Sequence, residues 1–181
     1  PRWSPDGSRI ACTVWKSIER PWALSIIDVQ TGGRTEPEIG CLAAEMEWSP
    51  DGRWIAVGGT MYRRPVTVLC MVRARGGESR MLDSLPVFTD YDDLDWSPDS
   101  RAIVGTRATA LSAEDPVASD LWLFETNGKR CQLTTTDAVL EGRPRWINPT
   151  TIVYLATEQP GGDEHLRVLT LGLPGSTPYD T

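Results

Sequence analysis

The chain has 181 residues and a formal net charge of −7, with 40% hydrophobic and 24% charged residues. This length suffices for one compact domain, and the composition is that of a globular protein, which excludes a disordered, collagen-like or coiled-coil chain. The acidic balance disfavours nucleic-acid partners, because phosphate backbones repel a negative surface. No apolar run approaches the roughly 20 residues that a membrane helix needs, so no membrane association is expected.

The first repeat unit begins with Trp3-Ser4-Pro5-Asp6-Gly7. Pro presets φ, Asp bonds to its own backbone and Gly accepts a positive φ, so this segment predicts a tight turn. Strand-like runs follow at 9–15 and 22–29, and Thr31-Gly32-Gly33 predicts a second turn before a short closing run. The unit therefore predicts four short strands, and we assign residues 1–40 to it.

The same pattern recurs three times along the chain. The copies are Trp48-Ser49-Pro50-Asp51-Gly52, Trp96-Ser97-Pro98-Asp99-Ser100 and the altered Trp146-Ile147-Asn148-Pro149-Thr150. The Trp residues are 45, 48 and 50 positions apart, a period typical of propellers, solenoids and repeat arrays. We assign the units to residues 41–86, 87–136 and 137–181. No segment shows the sustained 3.6-residue apolar period of a helix.

The WSPDG motif, the aliphatic strand, the second strand and the GG turn resemble the TolB-type β-propeller repeat. The same blades form the propeller of prolyl oligopeptidase-type serine peptidases, including the acylaminoacyl peptidase branch. The resemblance covers essentially the whole chain, with departures at Ser100 and at Ile147-Asn148. It implies an all-β fold of four-stranded antiparallel blades. About four blades are present, whereas such propellers usually have about six to eight. We therefore expect the chain to be part of a larger propeller; the alternatives are an eight-bladed ring closed by two copies and a four-bladed ring closed by one.

The motif residues have structural explanations, since a large Trp fills the space between stacked sheets and the Asp closes a turn. Repeated turns and packing also explain why the chain has 16 Gly, 14 Pro and 8 Trp residues. The residues that we predict to be structural are Trp3, Asp6, Trp48, Asp51, Trp96, Asp99 and Trp146.

Charged pairs lie one and three positions before the later motif Trp residues, and strand alternation places them on the face opposite the Trp. If the first strand of each blade is innermost, these pairs border a central channel, where they either neutralise each other or select a charged peptide end. The densest acidic run, at 90–95, lacks the mid-loop Gly and distal Glu of a calcium loop, so no metal site is predicted. The candidate binding residues are Glu45, Glu47, Asp90, Tyr91, Asp92, Asp93, Asp95, Arg143 and Arg145.

The longer loops lie at the other face of the predicted disc, and loops on a rigid scaffold often carry function. We expect a ligand or partner to bind at that face. The loops in question are 16–21, 61–65, 108–118, 135–141 and 158–163.

Catalytic machinery is not evident in the sequence. There is no GxSxG elbow, no Walker motif and no GxGxxG motif, and His165 is the single histidine. The cysteines Cys12, Cys41, Cys70 and Cys131 form no CxxC pair, which makes a zinc site improbable and predicts free thiols. No catalytic residue and no cofactor is predicted. Free thiols favour a cytoplasmic location over a periplasmic or secreted one.

Two functional hypotheses follow from the resemblance. The first is a non-catalytic propeller portion of a prolyl oligopeptidase-like peptidase, which gates or binds peptide substrate beside a hydrolase domain outside these 181 residues. The alternative is a TolB-like protein–protein interaction scaffold without an enzymatic domain. The expected partner is a peptide or a protein in both cases. Open blade edges also predict pairing with the remainder of the propeller or with a second copy.

Overall fold

The computed structural model describes residues 1–17, 22–39, 41–61, 64, 66–86, 91–109, 118–136, 139–158 and 162–172. Within these ranges the chain forms fifteen β-strands and no helix. The all-β prediction from short strand-like runs is confirmed for this part of the chain. None of its elements is a helix that could span a membrane.

The first two repeat units each form a four-stranded antiparallel sheet, here called blades 1 and 2. Blade 1 consists of β1 (Arg2–Trp3), β2 (Arg9–Trp15), β3 (Trp22–Asp28) and β4 (Arg34–Thr35). Blade 2 consists of β5 (Cys41–Trp48), β6 (Trp54–Met61), β7 (Val66–Arg73) and β8 (Ser79–Pro86). Each strand pairs with the next one along the chain, so the motif turn always joins the first strand to the second.

The later units form blades 3 and 4. Blade 3 consists of β9 (Tyr91–Trp96), β10 (Ala102–Thr109), β11 (Ala118–Glu125) and β12 (Arg130–Gln132). Blade 4 consists of β13 (Leu140–Asn148), β14 (Thr151–Thr157) and β15 (His165–Thr170). A closing strand at 173–181, which the repeat pattern allows, lies outside the described residues.

Blades 3 and 4 share one backbone pairing, the parallel bridge between Ser119 and Leu140. Strand β12 is only three residues long and pairs with β11 from Trp122 onward, so the start of β11 keeps a free edge. Strand β13 of blade 4 pairs with this edge. The hydroxyl of Ser119 donates to the carbonyl of Glu141 at 2.7 Å and accepts from the N–H of Glu141 at 2.8 Å. The two blades therefore form one seven-stranded sheet.

Neighbouring blades pack face to face through three hydrophobic clusters. Between blades 1 and 2, Leu24 and Ile26 pack with Trp48 and Val57. The cluster between blades 2 and 3 contains Trp96, and Trp146 lies at the edge of the cluster between blades 3 and 4. Each of these three Trp residues thus occupies the space between its own blade and the preceding one.

The first strands of blades 2, 3 and 4 share an irregularity. Each has one extra residue relative to its partner strand, two to four positions before the motif Trp. Asp93 and Arg143 lie at these β-bulges with φ angles of 53° and 51°. A bulge bends a strand and redirects its side chains, and here it does so beside the charged residues that precede each Trp.

Candidate functional site

The strands β1, β5, β9 and β13 lie side by side in that order, as the first strands of the four blades. Each carries charged residues directly before its motif Trp. We call these residues the inner-strand charged cluster, and its members are Arg2, Glu45, Glu47, Asp93, Asp95, Arg143 and Arg145. Arg2 is not among the candidate residues predicted from the sequence. It precedes Trp3 as Glu47 precedes Trp48, so the rule that selects charged residues before the motif Trp also identifies it.

At blades 1 and 2, the cluster is held by ion pairs from Arg2. Its Nε lies 3.2 Å from Oε2 of Glu47, and its Nη2 lies 3.9 Å from Oε2 of Glu45. All three side chains remain partly exposed. The contacts neutralise part of the negative charge, while both carboxylates stay partly exposed.

At blades 3 and 4, two carboxylates hold the backbone of β13. The backbone N–H of Arg143 donates to Oδ2 of Asp93 at 2.9 Å, and that of Trp146 donates to Oδ2 of Asp95 at 2.7 Å. The guanidinium of Arg143 pairs with Glu164 at 3.6 Å. Arg145 donates to the carbonyl of Pro144 at 2.7 Å. The side chains of Asp93 and Asp95 therefore join blade 3 to the first strand of blade 4.

Burial and neighbouring charge perturb two carboxyl groups of the cluster. Burial raises the pKa of Glu47, the Arg2 guanidinium opposes this rise, and the carboxylate of Asp95 adds to it. Burial also raises the pKa of Asp95, while the hydrogen bond from the N–H of Trp146 and the positive charge of Arg145 oppose this rise. Half-buried carboxylates on adjacent strands are suited to holding a cationic group, because a bound positive charge favours their ionised form.

The remaining candidate residues lie elsewhere or are not described. Tyr91 is 2% exposed and packs edge-on against Phe124, with ring centroids 5.7 Å apart. Burial, followed by the nearby Asp83 carboxylate, raises the pKa of its hydroxyl. Asp92 lies on β9, Asp90 lies outside the described residues, and so does most of the loop at 108–118. Among the residues that the structure does describe, no cluster of three His, Cys, Asp or Glu side chains could hold a metal ion.

The motif residues make hydrogen bonds within and between blades. The indole N–H of Trp48 donates to the carbonyl of Arg2 at 3.1 Å, and that of Trp96 donates to the carbonyl of Glu47 at 3.0 Å. In the motif turn itself, Oδ1 of Asp51 accepts from the hydroxyl of Ser49 at 2.6 Å and from the N–H of Arg53 at 2.9 Å. Sequence reasoning missed the indole bonds, because they depend on the placement of the preceding blade.

No protein-family model matches the sequence, and no curated protein matches it, but solved structures do. TolB from Acinetobacter baumannii matches with a TM-score of 0.62 at 16% identity, over 93% of this chain and 40% of that one. The tricorn protease matches with a TM-score of 0.69 at 18% identity, over 94% of this chain and 17% of that one. A prolyl endopeptidase matches with a TM-score of 0.64 at 12% identity, over 96% of this chain and 29% of that one.

These similarities establish the fold. An acylaminoacyl peptidase from Pyrococcus horikoshii and the propeller domain of the Trilobed protease from Pyrococcus furiosus also match. The chain has a TolB-type β-propeller fold and forms part of a propeller, which confirms the fold that the repeats predict. It spans less than half the length of TolB and the tricorn protease. An oligogalacturonate lyase and a hydrazine synthase match as well, so the fold alone does not set the activity.

Proposed function

We propose that the chain is the non-catalytic propeller portion of a serine peptidase of the prolyl oligopeptidase and acylaminoacyl peptidase type. In this role it binds peptide substrate or gates its access. The observation that carries the proposal is the inner-strand charged cluster, where the half-buried carboxylates of Glu47 and Asp95 lie on adjacent first strands. The similarity to propellers of several peptidases supports the same role.

The chemistry of the cluster favours the amino-terminal end of a peptide. An ammonium group near Glu47 and Asp95 offsets their mutual repulsion and compensates for their desolvation. The three arginines of the cluster balance three of its four carboxylates, so one further cation neutralises it. Because Glu47 and Asp95 are half-buried, such a contact selects peptides by their charged end more strongly than it does on an open surface.

Peptide binding tests this proposal directly. We expect tri-alanine amide, which has a free ammonium group and no carboxylate, to bind the chain in a calorimetric titration. Its N-acetylated form should bind at least about tenfold more weakly, as expected for the loss of a charge-assisted contact. The double change Glu47→Gln and Asp95→Asn should have a similar effect, while Glu158→Gln, which alters an exposed carboxylate paired with Arg167, should have none. Equal binding of the free and acetylated peptides would refute the proposed site.

The alternative function is a TolB-like interaction scaffold without an enzymatic domain. Exposed apolar side chains on blade 4 favour it, since Leu166 is 69% and Val168 63% exposed, and such patches mark protein-binding surfaces. The complete gene product separates the two functions. A GxSxG elbow with its Asp and His beyond this chain supports the peptidase, and a signal peptide without those residues supports the scaffold.

The cellular location belongs to the same proposal. All four cysteines are free thiols, two of them buried in the packing between blades 1 and 2. Unpaired cysteines are typical of reducing compartments. We therefore propose a cytoplasmic location, which fractionation of cells that express the full gene product tests.

A further inference from the structure

A second candidate site lies away from the inner-strand charged cluster. A cavity of about 440 Å³ opens between blades 1 and 2, beside the motif turn of blade 1. Its walls are the β3–β4 hairpin of blade 1 and the turn that follows β7 in blade 2. The lining residues that matter for its chemistry are Asp6, Arg9, Asp28, Arg34 and Arg75. We call this cavity the blade 1–2 pocket.

One guanidinium of the pocket is fixed in place by the fold. Arg9 donates to the carbonyl of Gly52 at 3.0 Å and to that of Ala74 at 3.4 Å. Its guanidinium carbon also lies 5.0 Å from the centre of the Trp48 ring. These contacts all come from blade 2 and use only part of the five N–H donors of an arginine. Arg9 therefore contributes a preorganised positive charge to the pocket.

The other two guanidinium groups of the pocket are open to solvent. Arg34 and Arg75 are exposed, and neither makes a hydrogen bond or ion pair within the described part of the chain. They approach the pocket from opposite walls, Arg34 on the β3–β4 hairpin and Arg75 on the turn of blade 2. The planar fork of a guanidinium group matches a carboxylate in geometry and charge.

Two ionised carboxylates limit the charge of the ligand. Hydrogen bonds from Ser4 and Ser8 lower the pKa of Asp6 to about 2, and those from Thr31 lower the pKa of Asp28. The lining thus carries three positive and two negative charges. A monoanion fits this balance, whereas a phosphate dianion meets repulsion from both carboxylates.

The rest of the lining points to a polar ligand with N–H donors. Each Asp is bound by its own turn through Oδ1, which leaves Oδ2 to accept from a ligand. Only Ile26 and Ala74 contribute apolar side chains to the walls. The volume lies in the range of roughly 300–1,000 Å³ that small-ligand sites occupy, well above what a single carboxylate fills.

We propose that the blade 1–2 pocket binds the C-terminal end of a peptide. Arg34 and Arg75 hold the terminal carboxylate, Arg9 adds fixed positive charge, and Asp6 and Asp28 accept peptide N–H groups. This site is separate from the inner-strand charged cluster and does not depend on the function proposed for it.

The test uses peptides that lack an ammonium group. N-acetyl-tri-alanine with a free carboxylate should bind in a calorimetric or NMR titration, and its C-terminal amide should bind at least about tenfold more weakly. The double change Arg34→Ala and Arg75→Ala should weaken binding of the acid by a similar factor. Both residues are exposed, so the fold should persist, which circular dichroism checks. Arg101→Ala removes an exposed guanidinium from blade 3 and should leave binding unchanged.

Each other outcome overturns the proposal in a recognisable way. No binding of the acetylated acid rules out the ligand class. Equal binding of acid and amide shows that the carboxylate is not recognised, and full binding by the Arg34→Ala, Arg75→Ala variant places the ligand elsewhere. A carboxylate could also come from a side chain, so N-acetyl-Ala-Asp-Ala amide is included. Tighter binding of that peptide than of the acid excludes specificity for the C-terminus.

Discussion

At the scale of single residues, Glu141 is a carboxyl group buried between blades 3 and 4. It is 2% exposed, its Oε2 accepts from the hydroxyl of Thr134, and its Oε1 has no partner in the described part of the chain. Burial raises the pKa of Glu141, with a further rise from the Asp120 carboxylate, and the Thr134 hydrogen bond opposes both. The folded protein therefore holds this proton more tightly than the unfolded chain does.

This predicts the pH dependence of stability at Glu141. Because the folded pKa is raised, the stabilising contribution is complete below the ordinary pKa of a glutamate and is lost as the pH rises through the folded value. Glu141→Gln mimics the protonated form, so we expect it to match the wild type near pH 4 and to exceed its unfolding free energy at pH 8. Urea denaturation at several pH values measures this difference. A difference in unfolding free energy between Glu141→Gln and the wild type that does not vary with pH contradicts the prediction. Glu158→Gln, which changes an exposed carboxylate, serves as the control.

At the scale of elements, the Asp95 side chain holds strand β13 of blade 4 through the N–H of Trp146. Removing the acceptor leaves this N–H unpaired, which costs about 1–3 kcal/mol. We expect Asp95→Ala to speed hydrogen exchange of the Trp146 amide by roughly ten- to a hundredfold, while Val57 in blade 2 keeps its rate. Asp95→Asn keeps an acceptor oxygen and should resemble the wild type. Equal acceleration at Trp146 and Val57 would mean that the whole fold, and not the docking of β13, has weakened.

The motif turns and strand β13 differ in how much of their structure the sequence predicts. The Pro-Asp-Gly chemistry predicts the motif turns, because those bonds are local: Asp6 accepts the N–H of Ser8 at 3.0 Å within the turn itself. The β-bulges were not predicted, since Asp93 and Arg143 adopt positive φ without being glycine. The acidic pair before Trp96 was identified from spacing, but its hydrogen bonds to β13 depend on how the next blade is placed.

At the scale of the whole molecule, the two end blades differ from the middle ones. Trp48 is 4% exposed because blade 1 covers it, whereas Trp3, the equivalent residue of blade 1, is 60% exposed. At the other end, Leu166 and Val168 project from the face of blade 4 that none of the described residues covers. The interfaces between blades show what fits such faces, because each pairs a Trp-bearing face with an aliphatic one. A further blade or a second copy of the chain would cover both.

The 181-residue chain should therefore associate with itself in solution. Large exposed apolar faces favour association with another surface. Packing the Trp3 face of one copy against the Leu166 face of a second copy buries both faces. We expect an average mass above that of one chain, rising with concentration in sedimentation equilibrium. Leu166→Glu should shift the mass toward the monomer, because it places a charge in the contact. Met81→Glu changes another apolar residue that is 62% exposed, but on the outer strand of blade 2, and should leave the mass unchanged. A monomer at every concentration, or an equal shift in both variants, would show that these faces do not mediate association.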